Sequence, residues 1–245
     1  MLLVTMGIVE HVRGLDQIEQ RTPEWYAARE NMITASDMAS VLGVNPYKSR
    51  NALLKSKVEP VKQYMSNFAT EHGNKYEDEA RLLFGEMYGL ETWDVGLFRH
   101  SKYKWLGGSP DGIASDGALL EIKCPVKREI KHEIPVYYYP QVQICMEVLD
   151  IPKCYFIQYK PETIYNKGII DVVEIPRSKV WFQDSFEQID TFWKDVLKYR
   201  ESPELMPVTT RQYKRKEKEP RVPEPCLIVS DTDDDSDMED SSDAV

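Results

Sequence analysis

The sequence predicts an α/β domain built on a mixed central sheet, and three observations carry that prediction. Short helical segments come first, a helix then divides two groups of strands, and a long amphipathic helix closes the order, which is the layering of helices on a sheet. The stretch Leu119-Leu120-Glu121-Ile122-Lys123 is apolar enough for a buried strand. Residues 153–159 and 168–175 alternate or run apolar and read as two more strands joined by a turn.

Taken in order, residues 1–20 show no strong pattern and read as a lead-in. Thr22-Pro23-Glu24-Trp25 reads as a helix start, because Thr22 can cap and Pro23 suits the first turn; this short helix carries Trp25 and Tyr26 through Arg29. A second helix starts at Thr34 or Ser36 and runs to Leu42, where Gly43 stops it. Asn45-Pro46-Tyr47 is a turn, and residues 50–58 form another helix. From Glu71 to Gly89 runs the clearest helix, with Tyr76, Ala80, Leu83 and Met87 on one stripe. A strand is expected around residues 97–99, a loop at 109–112, and a strand at 118–123 that Cys124-Pro125 ends. Residues 126–135 are a polar loop, and Tyr137-Tyr138-Tyr139-Pro140-Gln141 opens a helix with Ile144, Val148 and Leu149 on its inner face. After the strands at 153–175, Pro176 leads into a helix over about 178–199 marked by Trp181, Phe182, Ile189, Phe192, Trp193 and Val196.

Composition narrows the classes. With 42% hydrophobic residues in 245, the chain can bury one substantial core and still leave a tail. The formal charge is −10, but residues 231–243 hold eight acids and no base, which leaves about −2 for residues 1–230. A near-neutral body does not exclude nucleic acid, since a local basic groove suffices. No apolar run approaches the roughly 20 residues of a membrane span. The first residues have too short an apolar stretch for a signal peptide, so neither a membrane partner nor secretion is expected. Cys124, Cys145, Cys154 and Cys226 have neither zinc-like nor disulfide-scaffold spacing, which fits a reducing intracellular setting.

The chemistry concentrates in Ser109-Pro110-Asp111-Gly112 and, ten positions after the aspartate, Glu121-Ile122-Lys123. Residues i and i+2 of a strand share a face, so Glu121 and Lys123 stand together while Ile122 points the other way. A carboxylate and an amine on a buried strand are costly unless paired. With Asp111 they offer two hard oxygen ligands of the kind Mg²⁺ prefers, and a lysine that can position or deprotonate a water, parts that suit attack on a phosphodiester. The plain alternative is a hairpin turn with a same-strand ion pair. Elsewhere, Arg29 beside a helix start bearing Ser36 would make an anion site, or else a capped helix and a surface charge. The three tyrosines before Gln141 either pack or stack on bases.

Six separated elements, in order, resemble the phage lambda exonuclease or YqaJ-like viral recombinase family of the PD-(D/E)xK nuclease superfamily. They are W-Y-x-x-R with Arg29, I-T-A-S-D with Ser36, G-N-K-Y-E with Glu77, S-P-D-G with Ser109 and Asp111, E-I-K-C-P with Glu121 and Lys123, and Y-x-x-Q-V-Q with Gln141. The resemblance covers roughly residues 20–200 and implies a restriction-endonuclease-like PD-(D/E)xK core. It implies two Mg²⁺ ions, with Mn²⁺ able to substitute, ligated by Asp111, Glu121, the Ile122 carbonyl and Glu77. Lys123 and Gln141 would orient or activate the water, and Arg29, Ser36 and Ser109 would bind a terminal 5′-phosphate. One position departs: Ser101 stands where the phage enzyme has another acid. The implied function is a Mg²⁺-dependent exonuclease that digests duplex DNA ends 5′ to 3′ and leaves 3′ single strands for recombination or repair. A same-fold endonuclease and a catalytically silent DNA-end binding module are the alternatives. A homotrimer, a single-strand annealing partner and, for a viral chain, the host nucleus or cytoplasm belong to the same implication.

The organisation expected is therefore a lead-in over 1–20, a nuclease domain over 21–202, and a flexible linker with a disordered acidic tail over 203–245. Within the tail, Cys226-Leu227-Ile228-Val229 followed by acids resembles a SUMO-interacting motif, which would add as a strand to a partner's sheet edge. A solubilising tail and a competitor for the DNA groove are the other readings.

Overall fold

The computed structural model describes residues 2–59, 68–164 and 167–207, which belong to one compact unit. The segment read as a lead-in is instead a helix, α1 (Leu2–Arg13). Val12 on it is 1% exposed and sits in the core, and Arg13 lies over the Trp93 ring at 4.3 Å. A helix of this length is marginal alone, so tertiary packing, which a local pattern does not reveal, holds it.

Then come α2 (Pro23–Glu30), β1 (Ile33–Thr34), a 3-10 turn (Ala35–Asp37), α3 (Met38–Val41) and α4 (Arg50–Val58). Thr22 caps α2 by accepting from the Trp25 N–H at 3.2 Å, as its position predicts. The helix expected up to Leu42 is broken into the 3-10 turn and α3, and Thr34 takes the cap position. Its N–H and hydroxyl both donate to Asp37 Oδ2, at 3.0 and 2.8 Å, which leaves the Ser36 hydroxyl free for other work. Gly43 stops α3 with φ of +76°.

α5 (Phe68–Tyr88) starts earlier than the acids suggest. Its buried line runs through Ala80 and Phe84, both 0% exposed, whereas Met87, placed on the stripe by periodicity, is exposed. The strands β2 (Thr92–Trp93), β3 (Phe98–Arg99), β4 (Leu106–Gly108), β5 (Gly112–Ala114) and β6 (Leu119–Lys123) follow, then α6 (Tyr139–Leu149), β7 (Lys153–Lys160), β8 (Ile169–Pro176) and α7 (Lys179–Glu201).

The main sheet has the order β2-β5-β6-β7-β8 and is mixed: β6 and β7 run parallel, the other neighbours antiparallel. A parallel pair needs a crossover, and α6 supplies it. A smaller sheet, β1-β4-β3, is mixed as well. Alternation along β6 divides the core. Leu120 and Ile122 pack with Ala80 and Phe84 of α5, and Leu119 packs with Val142 and Ile144 of α6 and with α7. Helices cover both faces, so Glu121, on the α6 side, is fully buried. Among the described residues no helix is long and apolar enough to cross a membrane, and Cys124, Cys145 and Cys154 are free. The expected acidic tail and its strand-forming run lie outside the described residues.

Candidate active site

A single hairpin carries the two acids that the sequence singles out. β5 and β6 pair antiparallel with Gly112 opposite Leu120, which sets Asp111 at the mouth of the hairpin beside Glu121. Asp111 is pinned there twice: its N–H donates to the Leu120 carbonyl at 3.1 Å, and its Oδ2 accepts the Ile122 N–H at 2.6 Å. Glu121 Oε1 accepts from Gln141 Nε2 at the start of α6 and pairs with Lys123 Nζ. Lys123 lies over the Tyr138 ring, 5.3 Å from its centroid. Glu77 projects from α5 and pairs with Arg21 at 3.0 Å.

One atom is left over. Glu121 Oε2 is sealed from solvent and has no hydrogen-bond partner. Buried carboxylate oxygens are costly without a donor or a cation, and such an exception needs an explanation. The acidities point the same way. Burial pushes Glu121 up to about 8, against the pull of Lys123 and with the push of Asp111. Burial, then the Asp111 charge, pushes Glu77 up to about 7, and burial raises Asp111. For Lys123, burial disfavours the charge, but Glu121 and Asp111 outweigh it and hold the ammonium well above its ordinary range. Three carboxyl groups thus share the Lys123 ammonium and the Arg21 guanidinium, so acids outnumber cations.

In this arrangement no three acidic, histidine or cysteine side chains among the described residues close into a finished metal cluster. Each of the three carboxylates spends an oxygen on a protein donor. The donor set nevertheless fits a hard divalent cation: carboxylate oxygens, one of them buried and unclaimed, short of positive charge.

The three residues assigned to a phosphate form a second cluster. Arg29 Nη2 donates to Ser36 Oγ at 3.0 Å, and Ser36 Oγ lies 3.0 Å from Thr34 Oγ1. Ser109 Oγ accepts from Trp25 Nε1 at 3.0 Å, and the Arg29 guanidinium stacks on the Trp25 ring at 4.1 Å. Trp25 therefore joins Arg29 to Ser109, and Ser109 stands two residues before Asp111. β4 brings this cluster close to α6 only because Gly108 has no side chain: a Cβ there would meet Cys145 Sγ at 3.0 Å.

Sequence reasoning missed Arg21, Trp25 and Lys57. Trp25 was legible in principle, being one helical turn before Arg29 on α2. Lys57 donates to the Arg29 and Met32 carbonyls, both at 2.8 Å, and pairs with Asp37 at 2.9 Å, so it fixes the backbone under the arginine. Nothing local marks it. Glu77, Asp111, Lys123 and Tyr138 open onto a cleft of about 720 Å³, with Lys127, Arg128 and Tyr137 among its other walls. Gln141 stands behind Glu121, away from that lining. Ser101 is exposed.

Comparison with known proteins points to one family and one fold. Residues 24–152 match the family described as the YqaJ-like viral recombinase domain. A protein of Acanthamoeba polyphaga mimivirus is 32% identical over 167 residues, 61% of this chain and 30% of its own length. A protein of African swine fever virus (strain Badajoz 1971 Vero-adapted) is 31% identical over 159 residues, 52% of this chain and 46% of its own. The match thus spans less than half of each viral relative. Among solved structures, LHK-Exo in complex with dAMP gives a TM-score of 0.65 at 26% identity, covering 74% of this chain and 95% of that one. LHK-Exo is an alkaline exonuclease from Laribacter hongkongensis, and a second structure of it gives 0.63 at 25% identity, covering 75% and 96%.

Proposed function

The chain belongs to the YqaJ-like viral recombinase domain family, and from that footing we propose that it is a metal-dependent deoxyribonuclease that digests duplex DNA from an end, 5′ to 3′, leaving 3′ single strands for recombination or repair. The observation that carries this reading is the buried, unclaimed Oε2 of Glu121 beside Asp111 and Lys123. The likeness to an alkaline exonuclease over most of that chain's length supports it.

Asp111, Glu121, Glu77 and the Ile122 carbonyl would hold the metal, Mg²⁺ or in its place Mn²⁺. When bound, such ions supply positive charge to the phosphate oxygens and acidify the attacking water. The chain's own groups do the rest. Gln141 holds the Glu121 carboxylate in one orientation. Lys123 directs its ammonium towards the attacking water and the phosphate, the sort of fixed charge that lowers a barrier where negative charge builds up. Water attacks phosphorus and gives a proton to solvent, the bond to the 3′ oxygen breaks, and that oxygen takes a proton from solvent to leave as the 3′-hydroxyl. Arg29, Ser36 and Ser109 would grip the terminal 5′-phosphate, with Trp25 keeping the arginine flat and Lys57 keeping its backbone still. A guanidinium and two hydroxyls suit a phosphate dianion.

The test presents the protein and Mg²⁺ with linear duplexes bearing a 5′-phosphate, a 5′-hydroxyl or covalently closed ends. Mononucleotides released fastest from the 5′-phosphate duplex, with the closed duplex intact, are the expected result. Digestion of the closed duplex makes the protein an endonuclease, and no digestion of any substrate removes the nuclease assignment.

A further inference from the structure

The cleft also holds groups that neither the metal site nor the terminal-phosphate cluster uses. Tyr47, in the turn between α3 and α4, is 79% exposed yet lines the same cleft as Asp111 and Lys123. Its ring meets Tyr137 edge to face, with centroids 5.8 Å apart and planes at 87°. Tyr137 in turn leans on Tyr138, the ring under Lys123. The turn that presents Tyr47 is fixed: Asn45 Oδ1 accepts the N–H groups of Tyr47 and Lys48, at 2.8 and 3.2 Å. An exposed aromatic ring on a braced turn keeps an open face at small entropic cost.

The same cleft supplies charge. Lys127 and Arg128 line the cleft, and Arg128 Nη2 is shut off from solvent with no hydrogen-bond partner. A guanidinium nitrogen buried without an acceptor is as unusual as a carboxylate oxygen without a donor. Its other terminal nitrogen donates to the Glu129 carbonyl at 3.1 Å, which holds the group in place. Ring face, cation and cleft together make the combination by which single-stranded nucleic acid is held, its bases on aromatic rings and its backbone along basic groups. The cleft volume falls within the range of about 300–1,000 Å³ typical of ligand sites.

We propose that Tyr47, braced by Tyr137, stacks on an unpaired nucleobase of the DNA strand being cut, while Arg128 takes a phosphate of that same strand. The site is separate from the cluster of Arg29, Ser36 and Ser109. It rests on the nuclease reading and deepens it by naming the groups that hold the strand being cut.

The experiment uses single-stranded oligonucleotides in chelator, so that binding is measured without cleavage, and scans one 2-aminopurine along the strand. One position should be quenched on binding by the wild-type protein. Tyr47→Ala should lose that quench and about tenfold in affinity, the usual cost of removing one stacked base. Tyr47→Phe, which keeps the ring, should stay within about threefold of wild type. An abasic residue at the quenched position should erase the difference between wild type and Tyr47→Ala. Equal binding by wild type and Tyr47→Ala, or a Tyr47→Ala defect that survives on the abasic strand, overturns the proposal and leaves the nuclease reading standing if Mg²⁺-dependent digestion persists. Absence of both oligonucleotide binding and digestion in the wild type overturns the two together.

Discussion

Among the described residues, Lys57 pairs with Asp37 and Lys123 with Glu121, each largely shielded from solvent. Lys57 has three acceptors for its three donors: the Asp37 carboxylate and the carbonyls of Arg29 and Met32. Asp37 Oδ2 in turn takes the N–H and the hydroxyl of Thr34. Burial alone would raise the Asp37 pKa, but Lys57 and the Thr34 N–H outweigh it and the pKa falls. Glu121 has the same kind of partner and the opposite outcome. Asp111 and Glu77 face it with like charge, one of its oxygens has no partner, and its value climbs to about 8. A completed pair is a strut. An incomplete one, equally buried, is a place prepared for something else, and residue types alone do not tell the two apart.

The largest effect expected separates the two in stability. Lys57→Met leaves Asp37 buried without its cation, and breaking such a pair from one side costs about 3–5 kcal/mol. Chemical denaturation should show that loss, and a midpoint unchanged from wild type would show that the strut bears no load. Glu121→Gln is the converse experiment. Its shape is kept and its charge removed, so the unfolding midpoint should move little while cleavage falls on the order of 10²–10³. Wild-type turnover by that variant would put both pairs in the same class.

Arg29→Ala sharpens the contrast at the point where the strut meets the proposed phosphate grip. The Arg29 carbonyl holds Lys57 whichever side chain the residue bears, so the fold should stand while the preference for a 5′-phosphate end drops by roughly 1.5–3 kcal/mol, the worth of a hydrogen bond to a charged group. Rate ratios between phosphorylated and hydroxyl ends measure it, and a ratio like that of wild type would take Arg29 out of the pocket. The smallest effect is the pH dependence of the strut itself. Folding holds Asp37 below its ordinary value of 3.8, so its contribution is complete above that value and drains away as pH falls through the lower folded one. The stability gap between wild type and Asp37→Asn should therefore narrow on acidification below about pH 4, and a gap that widens there would reverse the assignment.

The sequence showed the cluster of acids and lysine better than its surroundings. Asp111, Glu121 and Lys123 stand within thirteen residues, and strand periodicity plus a turn already brings them together. Gln141 was legible because Pro140 marks a helix start. Lys57 was not, because its role arises from a contact with the Met32 carbonyl that no local spacing encodes, and of Trp25 only the spacing from Arg29 was legible, not the bond to Ser109. The long strands β7 and β8 and the helix α7 announced themselves, but β1, β2, β4 and β5 are two or three residues long, too short for alternation to show. α1 escaped because its helicity depends on the core it packs against, and Met87 misled because helical periodicity assigns a face without saying how far along the helix the sheet extends.

The hairpin of β5 and β6 also sets a timetable. It brings Asp111 and Glu121 together by closing a turn of a few residues, the kind of event that takes on the order of 1–10 μs. Glu77 and the grip around Arg29 are supplied by segments more than 30 residues upstream, and Gln141 waits for the crossover that the parallel pairing of β6 and β7 requires. Pairings distant in sequence form late. As the chain collapses, the two acids meet before the groups that orient them are in place, so the nascent protein gathers negative charge at its future centre first and acquires the means to direct it last.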